Sequence, residues 1–362
     1  MRDRQAIDVL LISPGTTAGW RRADGELASA FEELGISVAK CSSDYRIVRH
    51  LRRSVLTTDL AEAIAMRHAL SHALDRYRPR AIVYSSSQAA MLQPRSRIEG
   101  ATAVRFDAPA ALNRRGLGAG LLHALERRAL SRVRLLLPIG IAPDWSRRLP
   151  PGSRAERLED VPAVALPIPI DLDAGDAGQK ERIVLAYAGN PQKKGLDIAV
   201  GAWTLAAPAG WRLVVTGIGT EDGHRFLQRR GVEPAAGIEW LGIVEPDRYA
   251  QLLRRARVFL SASRFEDYGI AQLEALAAGA QLVTVPSGGP YEALAFARQL
   301  DPDLVARTVS AEPLAGALKA ALARRDDALE DYRRQARELL RPYSRETVRQ
   351  RLSDAVLPVL LG

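Results

Sequence analysis

Short β-rich apolar runs alternate with amphipathic helical stretches along almost the whole chain. In the first half the predicted strands are Asp8 to Ser13, Ile36 to Cys41, Ala81 to Ser85, Thr102 to Phe106 and Arg134 to Pro138. Helical spacings lie between several of them. In DGELASAFEELG, Asp24 is placed to cap a helix and Gly35 to stop it. Repeated strand, helix, strand predicts a parallel sheet with helices on both faces, because parallel neighbours must be joined by a crossover. The pattern fades through Pro150, Pro151, Pro162, Pro167 and Pro169, then restarts with ERIVLAYAG, WRLVVTG, IEWLG, ARVFLSAS and AQLVTVP. The fold class expected is α/β, with two Rossmann-like, doubly wound parallel-sheet domains facing a cleft. The expected domains are 1–170 and 171–342, and a last amphipathic helix over about 343–362 is placed to cross back to the first. Ligands of such sheets bind at the carboxyl ends of the strands.

Composition narrows the classes. The chain has 362 residues, 47% hydrophobic and 26% charged, which is ordinary for globular protein and long enough for two cores. Its one cysteine, Cys41, allows no internal disulfide. His68 and His72 stand four apart at helical spacing, but no third ligand accompanies them, so no metal is expected. MRDRQAIDVLLIS reads as a first strand rather than a signal peptide, and no apolar run approaches the roughly 20 residues that span a bilayer. The expected location is cytoplasmic, with a peripheral place on the inner face of the membrane as an extension of that reading.

Charge is placed unevenly. Residues 1–170 hold 26 Lys+Arg against 17 Asp+Glu, and residues 171–362 hold 25 of each, so the whole net charge of +9 lies in the first half. Two readings stay open: an anionic partner for that half, or an arginine-rich usage with a solvated surface. The segment DYRIVRHLRRS sets Arg46, Arg49, Arg52 and Arg53 beside Ile47, Val48 and Leu51, which suits an anionic membrane surface or a plain solvated helix face. Aromatic residues are only 6% and do not interleave with the arginines, which disfavours nucleic acid as a partner.

The densest chemistry lies in SRFEDYGIAQLEALAAGAQLVTVPSGGPYEAL. Ser263 to Gly269 should be a loop after a strand, and Gly269 and Ile270 should open a helix reaching about Ala278. The first amides of a helix lack partners and suit a phosphate or sugar hydroxyls. Glu266 in the loop and Glu274 in the helix are carboxylates, and one carboxylate accepts two hydroxyls well. Gly288 and Gly289 form a second tight turn where backbone can approach a ligand. Alone, these acids read equally as surface charges and the glycines as ordinary turns.

Taken together, EDYGIAQLEALAAG with VTVPSGG resembles the donor-site signature of retaining GT-B glycosyltransferases of family 4. Upstream, YAGNPQKKGLD is similar to that family's glycine loop and Lys-Gly element, and IEWLGIVEPDRYAQLLRRARVFLSAS to its base-binding loop, helix and strand. The likeness covers about residues 183–300 in the right order. It implies transfer of a hexose from a nucleotide-diphosphate sugar with retention of configuration, without metal or other cofactor. It also implies roles for particular residues. Lys194 would pair with the diphosphate, and Glu266 would bind the donor sugar. Tyr268 and the amides of Gly269, Ile270 and Ala271 would contact sugar and phosphate, and Glu274 would bind the ribose. Gly242 to Val244 would border the base, while Gly217 and Gly219 would keep a strand end open. The family commonly has arginine after Gly189, where this chain has Asn190, and Lys193 is the nearest substitute. The turn with a second Asn-Gly pair that usually follows SGGPYE is also missing.

The first half is less telling. Gly15 and Gly19 in SPGTTAGWRRADG could shape a loop facing donor and acceptor, or a plain turn. Asp107 in VRFDAPAALNRRG could orient the acceptor hydroxyl, or cap a helix, with Arg105, Arg114 and Arg115 lining the acceptor side. DLD at Asp171 to Asp173 has the letters of a metal motif but falls in the linker. The acceptor would be a glycan, a lipid or a small molecule. The rival readings are a GT-B epimerase or phosphorylase, and a catalytically degenerate GT-B protein binding anionic lipid or RNA.

Overall fold

A computed structural model describes residues 4–15, 18–43, 55–107, 109–110, 116, 118–140, 160–172, 180–206 and 208–362. The chain divides into two units, Met1–Pro169 with Arg345–Gly362, and Ile170–Ser344.

The first unit holds strands β1 (Gln5–Ser13), β2 (Val38–Ser42), β3 (Tyr77–Tyr84), β4 (Ala101–Phe106) and β5 (Leu135–Pro138). They form one parallel sheet in the order β2-β1-β3-β4-β5. Side chains alternate across it, as the twofold period of a strand demands. Leu10, Ile12, Ile82, Val104 and Leu136 pack with Met66, Leu70 and Leu74 of the helix Val55–Arg76. Val9, Leu11, Ala81, Val83 and Leu137 pack on the other face with Leu27 and Phe31 of the helix Ala18–Glu33. Burial on both faces is why these strands read as unbroken apolar runs.

The segment Arg345–Gly362 completes that second face. It runs as helix over Arg345–Arg351 and Leu357–Leu361, with a wider π turn at Leu352–Val356 between them. The wide turn lies just ahead of Pro358, whose missing N–H interrupts the regular helical ladder. Val348, Leu352, Val356 and Leu360 recur every fourth residue and enter the core beside Val9 and Leu11. Arg351 Nη1 donates to the Ala165 carbonyl at 3.1 Å and Arg80 Nη2 to the Leu361 carbonyl at 2.6 Å, pinning both ends.

Two expectations change here. Strand β3 begins at Tyr77, straight from the preceding helix, and not at Ala81. Its first half, YRPR, is charged and only half covered, because β4 pairs with it only from Ala81 onward. Pro79 fits there, since its missing N–H faces an unpaired side. Asp24 does not cap a helix. The helix starts at Ala18, which also takes in Gly19, and Asp24 lies in its middle, buried. Its carboxylate accepts hydrogen bonds from the hydroxyls of Ser13 and Ser85 and lies 3.9 Å from Arg105 Nη1. Tertiary hydroxyls have taken the role that the local capping rule assigned to a backbone amide.

The second unit holds β6 (Glu181–Tyr187), β7 (Arg212–Thr216), β8 (Ile238–Gly242), β9 (Ala256–Ser261) and β10 (Gln281–Thr284). All are parallel, in the order β10-β9-β6-β7-β8. The chain winds outward from β6 through β7 to β8, then returns to the far side of β6 with β9. That reversal opens a crevice at the carboxyl ends of β6 and β9, the place where such sheets bind ligands. Among the described residues no helix is long and apolar enough to cross a membrane.

Candidate functional site

Both segments singled out in the second half of the sequence lie at this crevice. After β6 the chain turns through Ala188 and Gly189 into a short helix, Pro191–Lys194. Asn190 caps it, its Oδ1 accepting from the Lys193 amide at 3.0 Å, and Pro191 fills the first helical position. The side chain at the position after Gly189 is therefore spent on the backbone. Lys193 and Lys194 follow, and Gly195 ends the turn at φ 64°. A Cβ on Gly195 would stand 2.0 Å from the Ala262 carbonyl oxygen, so only glycine lets this turn lie against the end of β9.

Beyond β9, Ala262 to Gly269 form the facing loop. Its backbone is tied to the first turn: the Arg264 amide donates to the Lys193 carbonyl at 2.9 Å, and Arg264 Nη1 to the Gln192 carbonyl at 3.0 Å. The Arg264 guanidinium also forks onto Asp197, at 2.9 and 2.6 Å. Burial pushes the Asp197 carboxyl up, but the Arg264 fork outweighs it and holds the group below its ordinary value. On the other side the Glu266 amide donates to the Gly288 carbonyl at 2.9 Å, and Ser287 Oγ to the Ser263 carbonyl at 2.5 Å. Gly288 and Gly289 thus serve as the rest on which the loop lies.

Between these pinned backbones two ion pairs stand side by side. Lys194 Nζ grips both oxygens of Glu266, at 2.9 Å from Oε2, and Ser263 Oγ donates to Oε1 at 3.2 Å. Side-chain exposure is 18% for Lys194 and 3% for Glu266, so a cation and a carboxylate sit together at the mouth of a protein recess. Lys193 Nζ bonds Asp267 Oδ2, with both side chains about one-third exposed. The small recess beside Lys194 is lined by Tyr187, Ser261, Ser263, Ala271 and Gln272 among others. Lys194 Nζ also lies 5.8 Å above the Tyr187 ring. Partial burial and the Glu266 charge push the Tyr187 hydroxyl above its ordinary range, so it stays protonated at neutral pH.

Gly269, with φ 89°, opens the helix Ile270–Ala277, and no side chain caps it. The amides of Ile270 and Ala271 therefore stand at the helix start beside the lysine–glutamate pair. Tyr268 and Tyr291 are buried beneath this start. Burial drives the Tyr291 hydroxyl far above its usual range, and that hydroxyl bonds Thr284 Oγ1 at 3.0 Å. Glu274 is partly exposed four residues after Ile270, about 6 Å along the axis.

The ends of β7 and β8 close the other side. The Ala188 amide donates to the Thr216 carbonyl at 2.8 Å, and the Gly217 amide to the Gly242 carbonyl at 2.7 Å. Three strand ends are laced in a row, and Gly219 caps the helix Thr220–Arg229. Val244 is partly exposed just past Gly242, while its neighbour Ile243 is 92% exposed.

The remaining expected residues lie in the first unit, at the start of the second or outside the described residues. Gly15 follows β1 at φ 59°, its amide donating to Ser13 Oγ at 3.1 Å. Asp107 is partly exposed at the end of β4. Arg105 does not line an acceptor side: it is buried, with Nη1 donating to the Ala23 carbonyl at 3.0 Å. Arg114, Arg115, Asp173 and the arginines of DYRIVRHLRRS fall outside the described residues. Asp171 is exposed, and among the described residues no three His, Cys, Asp or Glu side chains cluster as a metal would require. Sequence reasoning missed Ser263, the Arg264–Asp197 fork and the Lys193–Asp267 pair. Only the unusual density of charge in SRFED hints at them.

Residues 182–324 match the family model described as Glycosyl transferases group 1. No curated protein matches the chain in sequence. Solved structures of similar fold include sucrose-phosphate synthase from Thermosynechococcus elongatus, with a TM-score of 0.72 and 15% identity over 98% of this chain and 99% of that one. Anabaena HepE, solved in complex with UDP-glucose, gives 0.68 and 12% over 97% and 100%. A glycosyltransferase from Rickettsia africae gives 0.66 and 12% over 99% and 100%.

Proposed function

We propose, from the match of residues 182–324 to the glycosyl transferases group 1 family model and from the GT-B fold of the whole chain, that this protein moves a hexose from a nucleotide-diphosphate sugar to an acceptor, with retention of configuration and without a metal. The observation that carries the reading is the Lys194–Glu266 pair at the reversal point of the second sheet, beside an uncapped helix start. Negative charge grows on the diphosphate as the glycosidic bond breaks. A fixed ammonium and helix-start amides stabilise that charge where it develops. Glu266, released by Lys194, would accept hydroxyls of the donor sugar, and Glu274 those of the ribose. Gly242 and Val244 would border the base. From the first unit, Gly15 would approach the donor and Asp107 would orient the acceptor hydroxyl, with a donor phosphate oxygen taking its proton. The acceptor is a glycan, a lipid or a small molecule, and the basic excess of residues 1–170 fits one that sits on an anionic surface.

Thermal unfolding with UDP, GDP, ADP and their sugar conjugates tests this. Ligand at about 100 times its Kd adds roughly 2.7 kcal/mol to stability. One nucleotide family should raise the Tm, and Lys194→Ala should abolish the shift. Glu266→Ala should remove transfer and leave the fold intact. Transfer by Glu266→Ala at the wild-type rate would overturn the site. The absence of a shift with every nucleotide would turn the reading toward a protein that only binds anionic surfaces.

A further inference from the structure

Lys193 raises a question that the proposed donor site does not answer. It is neighbour to Lys194, on the same short helix, and faces the same loop. Its charge is held by Asp267, the residue after Glu266. The two pairs run in order across the gap, Lys193 to Asp267 and Lys194 to Glu266. Hydrogen bonds fix both sides, from the Arg264 amide to the Lys193 carbonyl, from its guanidinium to the Gln192 carbonyl and from the Glu266 amide to the Gly288 carbonyl. Such pairing is built into two rigid strips of chain and is not the chance meeting of two long side chains.

The two pairs differ in how firmly they are held. Glu266 is almost fully covered and receives a second hydrogen bond from Ser263. Asp267 is 35% exposed and Lys193 is 37% exposed, and Lys193 Nζ lies 5.7 Å over the Phe265 ring. A pair so exposed is weak and can be exchanged for another anion. The position that could supply a further cation, Asn190, is committed to capping the helix. Two lysines opposite two carboxylates leave this part of the site with no net charge, whereas a diphosphate needs positive charge in excess.

We infer that Asp267 is an internal competitor for the donor's diphosphate: it occupies Lys193 in the empty site and is displaced when the diphosphate binds, so that Lys193 becomes a second phosphate cation. This rests on the reading of the crevice as a nucleoside-diphosphate site. Asp267 thereby sets affinity without touching the sugar, and keeps the empty site from holding stray anions.

Titration calorimetry with UDP, GDP and ADP, and with the matching free nucleosides, tests the inference on wild type, Asp267→Asn, Lys193→Ala, Lys193→Arg and the Asp267→Asn/Lys193→Ala double variant. For the diphosphate that binds wild type, Asp267→Asn should tighten binding about two- to fivefold, the scale of an exposed ion pair. Lys193→Ala should weaken binding, Lys193→Arg should retain it, and Asp267→Asn should have no effect once Lys193 is gone. The free nucleoside should bind all variants alike. Weaker binding by Asp267→Asn, or a tightening that persists without Lys193, would overturn the competitor role while leaving the donor site standing. Failure of every diphosphate to bind wild type would overturn the donor site, and this inference with it.

Discussion

Each of the two sheets carries an ion pair near the carboxyl end of the strands at its point of reversal. In the first unit the pair is Arg105 and Asp24, joined by Ser13 at the end of β1 and Ser85 just after β3. In the second it is Lys194 and Glu266. Exposure separates them: 1% and 4% for the first pair, 18% and 3% for the second. Arg105 has a backbone carbonyl and a carboxylate, and Asp24 has two hydroxyls, so the first cluster is turned inward and joins a helix to three strands. Lys194 is held by one carboxylate at the mouth of a recess, where another anion can take it. Similar chemistry at similar places in two sheets becomes scaffold when it is sealed and a reagent when one partner can be exchanged.

The sharpest test of that contrast is Arg105→Met. It leaves Asp24 as a buried carboxylate without its cation, which costs about 3–5 kcal/mol, read as a fall in the midpoint of urea unfolding. Burial already raises the Asp24 carboxyl above its ordinary value. A raised carboxyl favours the folded state at acid pH and ceases to do so as pH climbs through its folded value. The deficit of Arg105→Met should therefore widen from acid to neutral pH. Glu266→Gln should do the reverse: kcat/KM falls by about 100-fold or more, roughly 2.7 kcal/mol of transition-state stabilisation, with urea midpoints close to wild type, because the cation left behind, Lys194, is 18% exposed and reaches water. Equal loss of stability in both variants would erase the distinction.

Gly195→Ala falls between the two classes. Its Cβ meets the Ala262 carbonyl in a left-handed turn, so about 1–3 kcal/mol of strain must be placed somewhere. Because that turn presents both lysines, nucleotide affinity and Tm should drop together, measured by calorimetry on one sample.

The smallest effect comes from a third buried cation, Lys180. Its Nζ donates to the carbonyls of Ala278 at 2.6 Å and Leu253 at 3.3 Å, at the ends of two helices. Burial, with Arg333 and Arg337 nearby and against the pull of Glu330, lowers its ammonium to about 7. The unfolded chain holds that proton to a much higher pH, so stability should rise above pH 7, by about 1 kcal/mol between pH 7 and 8. Lys180→Met should flatten that rise, and an unchanged pH profile of Tm would assign the slope to other groups.

Much of the fold was legible because parallel strands covered on both faces read as apolar runs, as in VLLIS and RIVLAY. YRPR was not, since half of β3 lies at the uncovered rim of the sheet. Asp24 misled because a capping side chain in the sequence cannot reveal which hydroxyls will surround it. At the site, the residues from Glu266 to Glu274 lie close in sequence, so a local pattern could show them. The pairs Lys193–Asp267 and Arg264–Asp197 join residues 74 and 67 apart, and only the closing of β6 beside β9 brings them together.

The segment Arg345–Gly362 has a consequence for how the protein is made. The first unit begins to emerge from the ribosome first, yet one face of its sheet is covered by Val348, Leu352, Val356 and Leu360. The second unit, Ile170–Ser344, is translated in between and is continuous, so it can close on its own. At about 5–20 residues per second, the earlier half waits on the order of ten seconds or more with Val9, Leu11 and Leu137 incompletely covered. The unit that starts first is thus finished last, and the interval in which its greasy face stands open is the time when a chaperone, or another nascent copy, would find it.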